Sequence, residues 1–398
     1  MKYYNRVLPA INTALPCLLP TQAANLALLV SAILIKQCLC LTELARAIPT
    51  PKQRRVPAPK PGTLWVLLYR LKRLWRFVDN KRVDPQAVQL ALIPYTLCSL
   101  GRPRLLGLAL DWTMWDTLTP RGESVRYQVL RIAVPRRGRA LPLLQLAYYR
   151  DNLPADSSQN QLEEEALLAV IRSLPAGVRA VILADRGFGR TEFIRWLQAH
   201  KLEYVIRVKR GTCITEPDGR RWKLGEQQLK PGQYAYSPGV RYALHNGRPT
   251  DVVVHLALCW KVSNSRQRRN DRRRRNQHKQ PKEPWYLVTS MKSAQSAAAW
   301  YWQRGWIEQS FKDSKSRFGL KYVKVAARER LNRLLMGLTL ALTWLTLLAL
   351  PHIRALPAGY ESSVVAWGRA SLITLALQLI ETRGDLPPLC LPQPLPYP

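Results

Sequence analysis

The stretch Tyr301-Trp-Gln-Arg304-Gly-Trp-Ile-Glu308-Gln-Ser-Phe-Lys312-Asp-Ser-Lys315 decides how this chain is read. At about 100° per residue, an unbroken helix places Tyr301, Arg304, Glu308 and Lys315 within roughly 60° of one another. One face then carries a carboxylate flanked by an aromatic ring and two cations, a set suited to a nucleic-acid phosphate beside a divalent metal. Trp300, Ile307, Phe311 and Phe318 gather on a neighbouring face that can pack on a sheet. The plainer alternative is surface pairing of Arg304 with Glu308 at i,i+4 spacing. That pairing explains two residues and not the alignment over four turns.

Outward from this helix, two more acids close apolar strands. Leu105 to Thr113 is an apolar run ending near Asp111, and Val178 to Ala184 is another, stopped by Asp185-Arg-Gly187. Strand patterns at 127–134 and 141–149 lie between them, followed by a helix at 162–174. A second helix at 190–200 and a strand at 204–209 complete the series. Three strands, helix, strand, helix, strand predict an α/β fold with a mixed sheet and flanking helices. A lone Asp at a strand end is more often a turn former or cap. Three acids in this order, with the helix behind them, carry the chemical reading. Clustered carboxylates repel one another unless cations neutralise them. All-oxygen donors favour Mg²⁺ or Mn²⁺ over zinc.

The rest of the chain sets the partner class. Its 398 residues include 61 Lys plus Arg against 26 Asp plus Glu, a net charge of +35. Such an excess calls for a polyanion, with nucleic acid first and an anionic membrane surface second. Seven cysteines, an odd number without a C-x-x-C pair, argue against a disulfide framework or zinc site and read as reduced, mostly buried thiols, which favours the cytoplasm. Leu334 to Leu350 is uncharged over about 17 residues, the lower limit for a bilayer span, and is expected as a buried core helix. No signal peptide is apparent.

Five regions are expected. Residues 1–100 form a helical DNA-binding region, with Thr21 as a helix cap and an amphipathic helix over 64–79 whose apolar side is Leu67, Leu68, Leu71, Leu74 and Trp75. Its other side carries Arg70, Lys72, Arg73 and Arg76, either a DNA-contacting or a merely solvated basic face. Residues 101–210 form the first part of a catalytic core. Residues 211–290 form a β-rich insertion containing the basic run Arg266 to Arg275, with Arg272 and Arg273 as candidate phosphate contacts; such a run is also an ordinary solvated loop. Residues 291–350 complete the core, and 351–398 form a C-terminal helix and a tail with six prolines in its last twelve residues.

The pattern Tyr-x2-Arg-x3-Glu-x6-Lys, at Tyr301, Arg304, Glu308 and Lys315, resembles the signature of the insertion-sequence-four group of DDE transposases. Ala184-Asp185-Arg-Gly-Phe188 resembles that group's second-Asp motif, and Asp111-Trp-Thr113 its first. The resemblance covers roughly residues 105–325 and extends weakly to 70–77. It implies an RNase H-like core interrupted by a β-insertion. Asp111, Asp185 and Glu308 would be catalytic ligands of two Mg²⁺ ions, which Mn²⁺ can replace. Tyr301, Arg304 and Lys315 would hold phosphates, with Lys312 a further DNA contact. It also implies double-stranded DNA partners (transposon ends and target), a homodimer in the synaptic complex, no membrane partner, and a bacterial, DNA-associated setting. Trp285 is a candidate to stack on a flipped base, with a core Trp as the alternative. The competing function is a catalytically inactive, transposase-derived DNA-binding protein.

Overall fold

A computed structural model describes residues 3–48, 64–118, 122–136, 138–154, 157–260, 284–325, 327–354 and 372–383. Arg272 and Arg273, the rest of the basic run, and the proline-rich tail lie outside the described residues. The chain divides into two compact units, one of Met1–Leu106, Asp111–Val178 and Trp306–Pro398, the other of Gly107–Leu110 and Arg179–Gly305.

The first unit begins with six helices: α1 (Tyr4–Ala14), α2 (Pro20–Lys36), α3 (Leu41–Ala47), α4 (Leu64–Val78), α5 (Pro85–Ala91) and α6 (Ile93–Ser99). Helix α2 starts one residue before the expected cap. Pro20 occupies its first position, where no amide hydrogen is needed. Gln22 Oε1 accepts from Leu19 N at 2.9 Å, so Thr21 is not the cap. Helix α4 buries Val66, Leu74, Phe77 and Val78. Leu68 and Trp75, expected on the buried side, are exposed, because the apolar residues encircle this helix and packing selected another stripe.

Three long strands follow: β1 (Leu105–Leu118), β2 (Ser124–Arg136) and β3 (Arg139–Tyr149). In spatial order β2 lies between β1 and β3, and β2 and β3 form an antiparallel hairpin with a bulge after Ile132. Strand β1 runs seven residues past Asp111, so this acid sits inside the strand and not at its end. Up to Leu110 the strand is buried on both faces; from Asp111 it alternates, a pattern that half-buried pairing sustains. Helix α7 (Gln159–Arg172) is capped reciprocally by Ser158 and Gln161.

Helix α11 (Arg328–Arg354) is the spine of this unit. Its long uncharged segment is buried inside the protein, packed on β3, α2, α5 and α12 (Leu372–Arg383). Gly337 lets α2 approach: a Cβ there would stand 2.8 Å from Leu29 Cδ2 and 3.3 Å from Ile33 Cδ1. Arg333 on the same helix donates to the carbonyl of Val78 at 3.1 Å, satisfying the last residue of α4, and to that of Val83 in the following turn at 2.9 Å.

In the second unit, β4 (Arg179–Ala184) pairs in parallel with β5 (Glu203–Arg207), and α8 (Thr191–Ala199) connects them. Residues 107–110 of β1 lie beside β4. Gly107 is required there, since a Cβ would meet Leu183 Cδ1 at 3.0 Å and the Trp300 ring at 3.3 Å. The strands of 211–290 do not form a sheet of their own: β12 (Trp285–Thr289) pairs with β5, then β11 (Val253–Cys259), β8 (Tyr234–Tyr242), β6 (Cys213–Thr215) and β7 (Arg221–Lys223) extend the order. Only β9 (Leu244–His245) and β10 (Arg248–Pro249) form a separate hairpin among the described residues. Helix α9 (Ala294–Arg304) packs on β4, β5, β8, β11 and β12.

The cysteines differ from expectation in burial. Of the six described, all are free thiols and only Cys259 is buried, while Cys17 and Cys40 are exposed.

Candidate active site

The signature stretch is not one continuous α-helix. Helix α9 ends at Arg304, Gly305 interrupts it, α10 runs over Trp306–Lys312, and a π-helical turn covers Asp313–Arg317. The 60° alignment inferred for an unbroken helix therefore does not carry over to Lys315, since a π turn adds about one residue per turn and shifts the phase. Ile307, Phe311 and Phe318 are buried as the pattern required.

In the second unit the structure brings Asp185 and Arg304 together. Asp185 follows β4 directly. Its Oδ1 accepts from Gly187 N at 2.8 Å, and its carbonyl accepts from Phe188 N at 3.1 Å, so the Asp-Arg-Gly-Phe string folds into a tight Asx turn. Arg304 Nη2 lies 3.5 Å from Asp185 Oδ2, with the guanidinium side chain 9% exposed and the carboxylate 35%. Asp185 is thus an acid that Arg304 reaches in this unit. Tyr301 is buried and meets Trp285 edge-on at 4.9 Å, and Trp285 in turn lies 6.1 Å from the exposed Trp302. Trp285 is half-buried, part of an aromatic cluster.

Gly187 crowds Asp185: a Cβ at this position would lie 3.1 Å from Asp185 Oδ1. Gly187→Ala is expected to turn the carboxylate and to lower the melting temperature slightly, since a Cβ at 3.1 Å is closer than an ordinary contact and the Asx turn must give. Melting curves and amide chemical shifts over residues 184–188 check this. Unchanged shifts in a folded variant would show that the turn accepts the methyl group without moving the carboxylate.

In the first unit Asp111 Oδ1 accepts from Trp112 N at 2.9 Å. The Trp112 indole donates to the fully buried Glu163 of α7 at 2.6 Å, anchoring the strand beside Asp111. Glu308 is exposed on the first turn of α10, and Lys312 is exposed on its last. Lys315 is half-buried and its Nζ donates to Met114 O on β1 at 2.8 Å. Burial, and then the nearby Arg131, lower the Lys315 pKa against the pull of Asp111.

Sequence reasoning missed Arg131. It is completely buried, with its guanidinium 4.2 Å from the Phe311 ring centre. Burial pushes its pKa down to about 9, opposed by Asp111 and Asp313. The available signal was a cation inside the apolar run Val129-Leu-Arg131-Ile-Ala-Val134. Arg139, which forms an ion pair with Asp313, gave no such signal.

Among the described residues, no three of His, Cys, Asp or Glu are grouped closely enough to hold a metal ion. The donor chemistry of Asp111, Asp185 and Glu308 nevertheless fits a hard divalent cation, since all three offer carboxylate oxygens and none is fully buried.

A large mixed sheet with flanking helices, preceded by a helical region, is an RNase H-like architecture. The chain belongs to the family described as "Transposase DDE domain", whose model matches residues 103–344. It is therefore a DNA transposase by family, with DNA as its partner and a divalent metal as the family's usual cofactor. No curated protein matches the chain significantly.

Proposed function

We propose that this chain is a transposase of the insertion-sequence-four group that cuts the ends of its element and joins them to target DNA. The observation that carries the reading is the pairing of Arg304 with Asp185, which puts the signature cation against the second acid of the motif set. In this reading Asp111, Asp185 and Glu308 hold two Mg²⁺ ions, for which Mn²⁺ substitutes. Bound metal supplies charge for activating the attacking oxygen and stabilising the leaving one in an in-line displacement.

The protein's own groups orient the DNA. Arg304 steadies Asp185 and, with Tyr301, Lys312 and Lys315, faces phosphates near the cut end. The strong positive charge holds the duplex and makes binding steeply salt-dependent. Cleavage by water is followed by attack of the freed 3′ hydroxyl on target phosphodiester, with the target's 3′ oxygen leaving. Two copies act on paired ends.

The test is incubation of purified protein and Mg²⁺ with linear DNA carrying the ends that flank its own gene. End cleavage and joined products are expected. Binding without cleavage in both Mg²⁺ and Mn²⁺ would favour the inactive DNA-binding reading. Cleavage without joining would point to a nuclease on the same fold.

A further inference from the structure

The segment bearing Glu308 is tied to all three strands of its unit by cations. Lys315 Nζ reaches Met114 O on β1, Arg139 of β3 pairs with Asp313, and Arg131 of β2 holds the centre. Arg131 Nη1 donates to Ser310 Oγ at 2.7 Å and Nη2 to Ser314 Oγ at 2.8 Å. Its Nε donates to Gln145 Oε1 at 3.0 Å. Gln145 in turn donates to Thr339 Oγ1 on α11 at 2.7 Å, so the anchor is itself fixed in the core. The guanidinium carbon lies over the Phe311 ring, 4.2 Å from its centre. Its three contacts on this segment, Ser310, Phe311 and Ser314, all follow Glu308 within about two turns.

Stability alone does not account for an arginine here. Burying a guanidinium carries a desolvation cost of several kcal/mol, and apolar residues of similar volume often replace buried charges at no loss. What an arginine adds is direction: its planar fork fixes two hydroxyls in one geometry.

We infer that Arg131 is a positioning residue for the transposition chemistry, holding the Glu308 helix in register against β2, beside the strand that carries Asp111. The inference rests on the proposed role of Glu308 as a metal ligand. It predicts that loosening this fork leaves the fold intact and degrades the placement of Glu308.

The test uses full-length protein with three variants, Arg131→Met, Arg131→Lys and the pair Ser310→Ala with Ser314→Ala. Amide hydrogen exchange is followed over residues 306–317, with β4 as internal reference, alongside end-cleavage rates across a Mg²⁺ titration. Arg131→Met is expected to keep the melting temperature, to exchange about tenfold faster over 306–317 only, and to cleave about a hundredfold slower with a higher half-saturating Mg²⁺. Arg131→Lys, which keeps the charge without the fork, should recover part of the rate. The double serine variant should fall between them. Wild-type exchange and wild-type Mg²⁺ dependence in Arg131→Met would overturn the inference. Should that variant fail to fold, unchanged exchange in the serine pair would overturn it equally. Should wild-type protein not cut DNA at all, the functional reading fails while the exchange data still decide whether Arg131 holds the helix.

Discussion

Glu308→Gln protein is expected to bind end DNA as wild type does and to cleave it about a thousandfold more slowly in Mg²⁺. The substitution keeps the shape of the side chain and removes only its charge. Glu308 is exposed, and the docking of α10 depends on Ile307, Phe311, Arg131 and Arg139, so the helix should stay in place. A ligand that helps a divalent ion stabilise charge in the transition state contributes several kcal/mol, and about 4 kcal/mol corresponds to about a thousandfold in rate. Single-turnover cleavage with filter-binding controls measures both parts. A rate within tenfold of wild type would overturn the proposed role of Glu308 as a metal ligand. Asp185→Asn is a less clean test, because it also weakens the pairing with Arg304 and so mixes loss of the proposed ligand with a local rearrangement.

Gly337→Leu should destabilise the fold by about 3 kcal/mol, the upper end of the usual cost of overpacking. Even a methyl group at this position comes within 2.8 Å of Leu29 Cδ2, and the rest of a leucine has nowhere to go without separating α11 from α2. Gly337→Ala sets two effects against each other. The clash falls on the tip of a flexible side chain, whereas alanine gains about 1 kcal/mol of helix propensity over glycine. Its net effect is therefore small, and the contrast between the two variants in denaturant unfolding isolates the packing term. Equal stability of the leucine variant and wild type would mean that α2 and α11 are not in contact at this point in solution. This close approach also explains how a segment uncharged over the length of a bilayer span serves as a core helix: its apolar surface is covered by α2, α5, α12 and β3.

Much of the fold was readable from spacing. The apolar runs at 105–113, 127–134, 141–149, 178–184 and 204–209 became β1 to β5, and the helices between them appeared where the period changed. Where the reading slipped, the local pattern was ambiguous. Apolar residues on every side of α4 left its buried stripe to be chosen by neighbouring helices. The alternation from Asp111 to Leu118 continued β1 beyond an acid that looked like its end. Trp112 gave no sign that its indole would meet Glu163, a residue on another element.

By itself the sequence determined the element types, the positions of the three acids in the chain order, the signature around Glu308, and the charge that demands a polyanion. These are local or additive properties, set by side-chain periodicity and composition. Only the tertiary structure decided that the strands of 211–290 would extend the order from β5, that the signature helix would break at Gly305 and loosen into a π turn, and that Arg304 would face Asp185. It also decided that a buried Arg131 would grip Ser310 and Ser314. Such pairings join residues far apart in the chain. They depend on strand register and on which hydrogen-bond partners a desolvated cation can find, and neither is encoded in the spacing of any one segment.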